Sequence, residues 1–360
     1  MLERTSRGIA LGVLSACQFG PILVLSAWAG VVVDRSDKLR MLWLTQSLEM
    51  VQSAVLAVLA FSPGVPVWGF DAATLVGGCL LAFDNPVRRT FVSEMVPRAD
   101  VPNAVTLYSM MVNLSRVAGP ALAGLLVLRT GFGWCFVVDT VSYAAVLAAL
   151  AMMRRSELLP TPGVPRGAGQ VRAGVRYVRT TPELHASFVM LLIVGTLSYN
   201  FPVLFPLLVE RTLHGSDAMF TVLYSVLSVG SVVGGLLVAR RREVTLATVA
   251  TGAGWLGAAL LVLSLAPTFS LALVVTAAVG AAAVSFMTAT TAMVQLRSTP
   301  QMLGRVLALQ AVLFIGTTPL GGPLMGALAD AAGTRVAIAL GGYRTAQPPQ
   351  WHSRRRGSAH

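Results

Sequence analysis

The sequence predicts an all-α polytopic membrane protein made of two copies of one helical bundle. Three observations carry this expectation. The 360 residues are 55% hydrophobic and 12% charged, whereas about a quarter of a soluble globular chain is charged. Apolar runs of about 20 residues, the length that crosses a roughly 30 Å hydrocarbon core, recur ten times between charged or Pro/Gly breaks. Two independent motifs also reappear about 200 residues later, at offsets of 203 and 205.

The runs lie at 9–33, 41–61, 67–84, 104–128 and 132–153 in the first half, and at 187–209, 219–239, 246–266, 270–296 and 305–329 in the second. A membrane β-barrel would show segments of about ten residues alternating apolar and polar, and these runs do not alternate. They divide the chain into a first bundle at 1–153, a linker at 154–186, a second bundle at 187–343 and a polar, basic tail at 344–360, expected to be disordered. The linker is rich in Pro, Gly and Arg and too polar to span. Within it Val171, Val175 and Val178 fall at i, i+4, i+7, beside Arg172, Arg176 and Arg179. That pattern predicts an amphipathic helix, either lying on the membrane surface with its arginines on anionic headgroups or solvated as a linker.

Alternate loops hold 17 Lys or Arg residues on one side and three, Arg129, Arg211 and Arg335, on the other. Cytoplasmic loops retain positive charge, so the arginine-rich side is read as cytoplasmic and the N-terminus as external. The same asymmetry accounts for the net charge of +12 and excludes nucleic acid as the implied partner.

The repeat is specific. Pro97 and Gly119-Pro120 map onto Pro300 and Gly322-Pro323, and Gly30-VVV-Asp34-Arg35 maps onto Gly235-LLV-Ala239-Arg240. Both halves therefore share one orientation, as in parallel-repeat transporters.

The run GVVVDRSDKLR from Gly30 resembles the loop between helices 2 and 3 of major facilitator superfamily transporters. FDNPVRRTFVSEMVP from Phe83, followed by PNAV and NLSRVAGPALAGLL, resembles the exporter branch that includes enterobactin, macrolide and multidrug efflux proteins. The resemblance implies the major facilitator fold, with about ten of twelve transmembrane helices present: helices 2 to 6, helices 7 to 11 and the start of 12. Helix 1 is expected to be lacking because the first run matches, through the repeat, the second helix of the other bundle, and most of helix 12 because only the eight residues VAIALGGY follow Arg335 before the polar tail. The implied function is export of a drug, macrolide or siderophore-like small molecule, coupled to protons, by alternating access in a bacterial inner membrane. The alternative is a truncated, transport-incompetent remnant.

Candidate residues follow from motif and position. Gly30, Asp34, Arg35, Lys38 and Arg40 form the gating loop, in which Asp34 either latches onto the positive end of a helix in the opposite bundle or belongs to a plain positive-inside turn. Asp84-Asn85-Pro86 is read as the end of a helix, with Arg88 following and Asp84 available to the arginines of the Gly30 loop. Gly119, Pro120 and Gly124 resemble the antiporter motif of the fifth helix, where proline bends and glycine permits close packing, and Gly322 and Pro323 are their repeat. Arg116 lies about 18 Å into its helix and must face inward. Glu49 and Asp139 are the embedded acids, either ion-pair partners for it or proton carriers, while Asp71 and Asp330 sit too near helix ends to weigh. Tyr199 and Asn200, with Pro202 and Pro206, and Met287 and Thr291, with Ser285, Thr288, Thr290 and Met293, are candidates for the substrate cavity by the resemblance.

Enzyme chemistry has little support. Lys38 is the single lysine and is followed by Leu, so no Walker A loop exists and ATP is not implied. The four histidines lack metal-ligand spacing, and Cys17, Cys79 and Cys135 stand singly in apolar runs. No cofactor and no metal are expected; the implied partners are a small-molecule substrate, protons and membrane lipids.

Overall fold

A computed structural model describes residues 8–159, 170–239 and 244–347. Among these residues the chain is helical throughout, in thirteen α-helices joined by short turns. Helix α1 (Gly8–Arg35), α2 (Lys38–Phe61), α3 (Val67–Phe91), α4 (Val101–Thr130) and α5 (Phe132–Met152) form the first bundle. A short α6 (Gln170–Thr180) leads into the second bundle. There α7 (Pro182–Leu197) and α8 (Phe201–Leu207) are two parts of one broken span, and α9 (Asp217–Ala239), α10 (Leu246–Leu265), α11 (Phe269–Arg297), α12 (Pro300–Ala332) and α13 (Thr334–Ala346) follow. Nine helical stretches among the described residues are long and apolar enough to cross a bilayer. The run at 104–128 forms α4, a further helix of 30 residues.

Local chemistry sets the boundaries. Asp37 caps α2 by accepting from the Arg40 amide at 2.9 Å, and Thr245 and Thr248 close a reciprocal capping box at the start of α10. Gly131 and Gly333, 202 residues apart, each make a one-residue connection between long helices at φ of 88° and 92°. Residues with a side chain rarely adopt that conformation, so glycine is what lets α4 turn directly into α5, and α12 into α13. The two turns fall at the repeat offset.

Packing repeats as well. The pairs α1 with α3, α2 with α3 and α2 with α5 in the first bundle correspond to α9 with α11, α10 with α11 and α10 with α13 in the second. The bundles meet through α1 against α12 and α4 against α9, which are also equivalents. A large apolar core fills the second bundle around Phe205, Leu256 and Phe286. A smaller one joins Val33, Leu39, Leu42, Val87, Phe91 and Leu150 at the arginine-rich end of the first.

Three sequence expectations change here. Helix α3 does not end at Asp84-Asn85-Pro86 but continues to Phe91 with Pro86 inside it; proline is tolerated in a membrane helix whose neighbours constrain it. The helix after Arg335 is longer than eight residues, running from Thr334 through the polar Arg344-Thr345 to Ala346, because Thr345 is buried against Ser198 at 2.7 Å between their hydroxyls. The rest of the tail, 348–360, lies outside the described residues. Finally, α6 packs on the protein itself. Val178 is buried, Gly174 sits against Leu309 and Arg305 of α12, and the Tyr177 hydroxyl donates to the Arg297 carbonyl at 3.2 Å and accepts from the Thr299 amide at 3.1 Å. Its apolar face packs on the second bundle, leaving Arg172, Arg176 and Arg179 exposed.

Candidate functional site

A dense cluster of buried polar side chains lies within the first bundle. Thr45, Gln46, Glu49 and Ser53 fall at i, i+1, i+4 and i+8 on α2 and so share one buried face. Across from them α3 presents Asp84 and Arg88, one turn apart. Asp84 is 2% exposed. It accepts from Thr45 Oγ1 at 3.0 Å, Gln46 Nε2 at 2.8 Å, and Arg88 Nε and Nη2 at 3.0 and 2.6 Å. Gln46 Nε2 also donates to Glu49 Oε2 at 2.9 Å, so one amide bridges two carboxyl groups. Among the described residues no donor meets Gln46 Oε1 or Glu49 Oε1, although the Tyr143 hydroxyl on α5 lies beside the Glu49 carboxyl. Next to this cluster Ser53 donates to Asp139 Oδ2 at 2.8 Å and to the Phe136 carbonyl at 3.1 Å on α5.

These contacts reassign several residues. Asp84 does not reach the arginines of the Gly30 loop; its partner is Arg88 on its own helix, because α3 continues past Pro86 and brings the guanidinium one turn below the carboxylate. Lys38 is no free anchor: its Nζ lies 2.6 Å from Glu94 Oε1, with both side chains about a tenth exposed. Arg35 is exposed, and Arg40 makes a 3.6 Å pair with Asp37 at the surface. Gly30 is buried in α1. Asp34 stands in the last turn of α1, but its side chain lies outside the described set, as do the side chains of Arg116 and Pro120 and the surroundings of Gly124. A side chain at Gly119 would meet nothing within 4 Å among the described residues. Its repeat partner Gly322 is tight, with Ser15 Cβ 3.3 Å from where its own Cβ would be.

In the second bundle Tyr199 and Asn200 occupy the break between α7 and α8. The Tyr199 hydroxyl donates to the Ala283 carbonyl, and its ring packs edge-on against Phe314 at 5.2 Å. Asn200 is 1% exposed and bonds Thr196, beside Gly321 of α12. Thr291 accepts from Gln310 at 2.9 Å, which ties α11 to α12, and Met287 packs at the edge of the core. These residues form helix contacts in this conformation.

The α1–α12 contact lies on the arginine-poor side. Gly8 and Gly12 of α1 face Gly322, Pro323 and Gly326 of α12; a Cβ on Gly12 would come within 2.5 Å of Pro323 Cα and 2.7 Å of the Gly322 carbonyl. Small residues four apart on both helices let the backbones touch. Contact persists to Leu23 against Gly316, about 22 Å of helix. Beyond it α1 packs on its own bundle, with Trp28 edge-on to Phe83 at 5.4 Å.

Sequence reading singled out Glu49, Asp84, Arg88 and Asp139 but passed over Thr45, Gln46, Ser53 and Glu94. The polar residues on α2 carried a signal in their four-residue spacing. Glu94 carried only its place in FVSEMVP, after a helix whose end had been read seven residues early.

Two parallel-repeat helical bundles joined at α1–α12 and α4–α9 give the major facilitator fold. Solved transporters share the fold. A bacterial homologue of the human lysosomal transporter Spinster, inward-facing and unoccupied, superposes with a TM-score of 0.70 at 15% identity over 96% of this chain and 87% of that one. A POT family transporter in complex with 5-aminolevulinic acid does so at 0.72 and 11% over 94% and 86%. Residues 5–346 match the transmembrane secretion effector family, and the chain belongs to it. It is similar to the multidrug efflux pump Tap of Mycolicibacterium fortuitum, 27% identical over 94% of this chain and 86% of that one. It is also similar to macrolide efflux protein A of Streptococcus pyogenes, 24% identical over 95% and 86%. Its match to the staphyloferrin A transporter of Staphylococcus aureus is 24% identical over 66% of this chain and spans 60% of that protein's length. The chain is thus a multi-pass plasma-membrane transporter.

Proposed function

We propose that this chain exports small organic molecules, of the hydrophobic drug, macrolide or siderophore-like kind, in exchange for protons, by alternating access of its two bundles. The observation that carries the coupling is the cluster around Glu49. Two carboxyl groups, Glu49 and Asp84, share one guanidinium, Arg88, with Tyr143 and Asp139 close to Glu49. A proton on Glu49 supplies a donor where Gln46 Oε1 and Glu49 Oε1 meet none among the described residues, and removes one negative charge from the cluster. Taking up and releasing that proton as the bundle meets opposite sides of the membrane would link the acid to the conformational cycle. The efflux relatives support the substrate class. The tight α1–α12 contact on the arginine-poor side supports reading this conformation as closed externally and facing the cytoplasm.

The test uses the purified chain in proteoliposomes with a trapped pH dye and erythromycin or ethidium as probe. Wild type should move protons against the probe, and Glu49→Gln should abolish proton movement while keeping probe exchange down its own gradient. Proton-driven transport at the wild-type rate in Glu49→Gln overturns the coupling role. Absence of transport of every probe by wild type overturns the export reading itself.

A further inference from the structure

We propose that Asp330, with Arg211, positions the transport cycle by latching the two bundles together on the arginine-poor side. Read along the chain alone, Asp330 carries little weight, because it sits at the end of α12. That end lies against the start of α1, in the other bundle. Asp330 Oδ1 accepts from the Gly8 amide at 2.7 Å, and Oδ2 accepts from the Ile9 amide at 2.9 Å. Both amides belong to α1, so the bonds cross the contact between the bundles. A carboxylate supplied by one bundle therefore holds, as a cap, two backbone amides of the other.

Arg211 completes the arrangement. It stands in the π-helical turn, Leu208–Thr212, that follows α8, and its Nη2 lies 2.7 Å from Asp330 Oδ1. Oδ1 is thus shared between a guanidinium of its own bundle and an amide of the opposite one. Both side chains keep between a quarter and a third of their exposure, so the pair is partly screened and the cap is the more directional half. Glycine-lined contact underlies it: a Cβ on Gly8 would lie 2.7 Å from the Gly326 carbonyl and 3.1 Å from Asp330 Oδ1. The carboxylate reaches the amides because nothing stands between the two backbones. When α1 and α12 part, both bonds to α1 must break while the Arg211 pair, internal to one bundle, can persist. The latch consequently has an intact half to which it recloses.

This inference rests on the alternating-access reading, but its test measures bundle separation and not export, so the two can fail separately. Spin labels at Arg129→Cys, on the last turn of α4, and Pro267→Cys, before α11, would report the distance between bundles on the arginine-poor side, with Cys17, Cys79 and Cys135 replaced by Ala. Asp330→Asn should raise the population with a longer distance about tenfold. Arg211→Gln, which leaves the cap, should raise it less, and Asp330→Glu should stay near wild type. An unchanged distribution in Asp330→Asn overturns the latch, and equal effects of Asp330→Asn and Arg211→Gln overturn the cap as its main component. Should Asp330→Asn fail to give monodisperse protein, Arg211→Gln decides: an unchanged distribution there also overturns it.

Discussion

The Lys38–Glu94 pair fastens the start of α2 to the short turn after α3, and its removal should cost the first bundle a measurable share of its stability. Nζ and Oε1 are 2.6 Å apart and each side chain is about a tenth exposed. Removing one partner of a buried pair costs about 3–5 kcal/mol, because the other charge is left shielded from water. The residual exposure places Lys38→Met near the lower bound, about 3 kcal/mol, or roughly a 150-fold change in the unfolding equilibrium. Replacing both partners by uncharged residues of similar size is close to neutral in such sites. Lys38→Met/Glu94→Gln should therefore recover most of the loss. Intrinsic fluorescence melts of the purified protein in detergent, followed through its six tryptophans, should show the single variant about 5–10 °C below wild type, with the double variant much nearer to it. The reasoning is refuted if Lys38→Met melts with wild type, or if the two substitutions simply add.

Gly12→Val would place atoms within 2.5 Å of Pro323 Cα, so α1 must retreat at a cost of about 1–3 kcal/mol; thiol labelling from the arginine-poor side should rise several-fold, and an unaltered labelling rate would contradict the close contact. Tyr177→Phe removes a hydroxyl that bridges Arg297 and Thr299, so amides of α6 should exchange hydrogen several times faster, corresponding to about 1 kcal/mol. Thr45→Val removes one of the donors to Asp84 and should lower proton-coupled efflux less than Asp84→Ala, which strands Arg88; equal losses would mean that Thr45 matters otherwise than through Asp84.

Much of the fold could be read from the residues. The apolar runs placed most helices within a few positions, and the repeat of Gly30 at Gly235 and of Pro120 at Pro323 anticipated the matched packing of the halves. The errors share a cause. Asp84-Asn85-Pro86 was read as a helix end because proline removes a ladder donor locally, but α3 continues through Pro86 to Phe91, and that continuity is what brings Arg88 under Asp84. The valine stripe of α6 showed that it had an apolar partner without showing whether that partner was lipid or protein. Glu49 was found because an acid in an apolar run is conspicuous; Gln46, which joins it to Asp84, was not, because an amide costs little enough in a sequence to pass unnoticed.

By itself, the sequence determined the solvent, the number and direction of most spans, the two-fold repeat and the side that holds the arginines, since each follows from hydrophobicity and charge along the chain. Only the tertiary structure decided which charges meet. Lys38 with Glu94, Asp84 with Arg88, and Asp330 with Arg211 and the first amides of α1 are separated by anything from one helical turn to more than 300 residues. Pairing inside a membrane is set by which helix faces turn toward each other, and only packing fixes that.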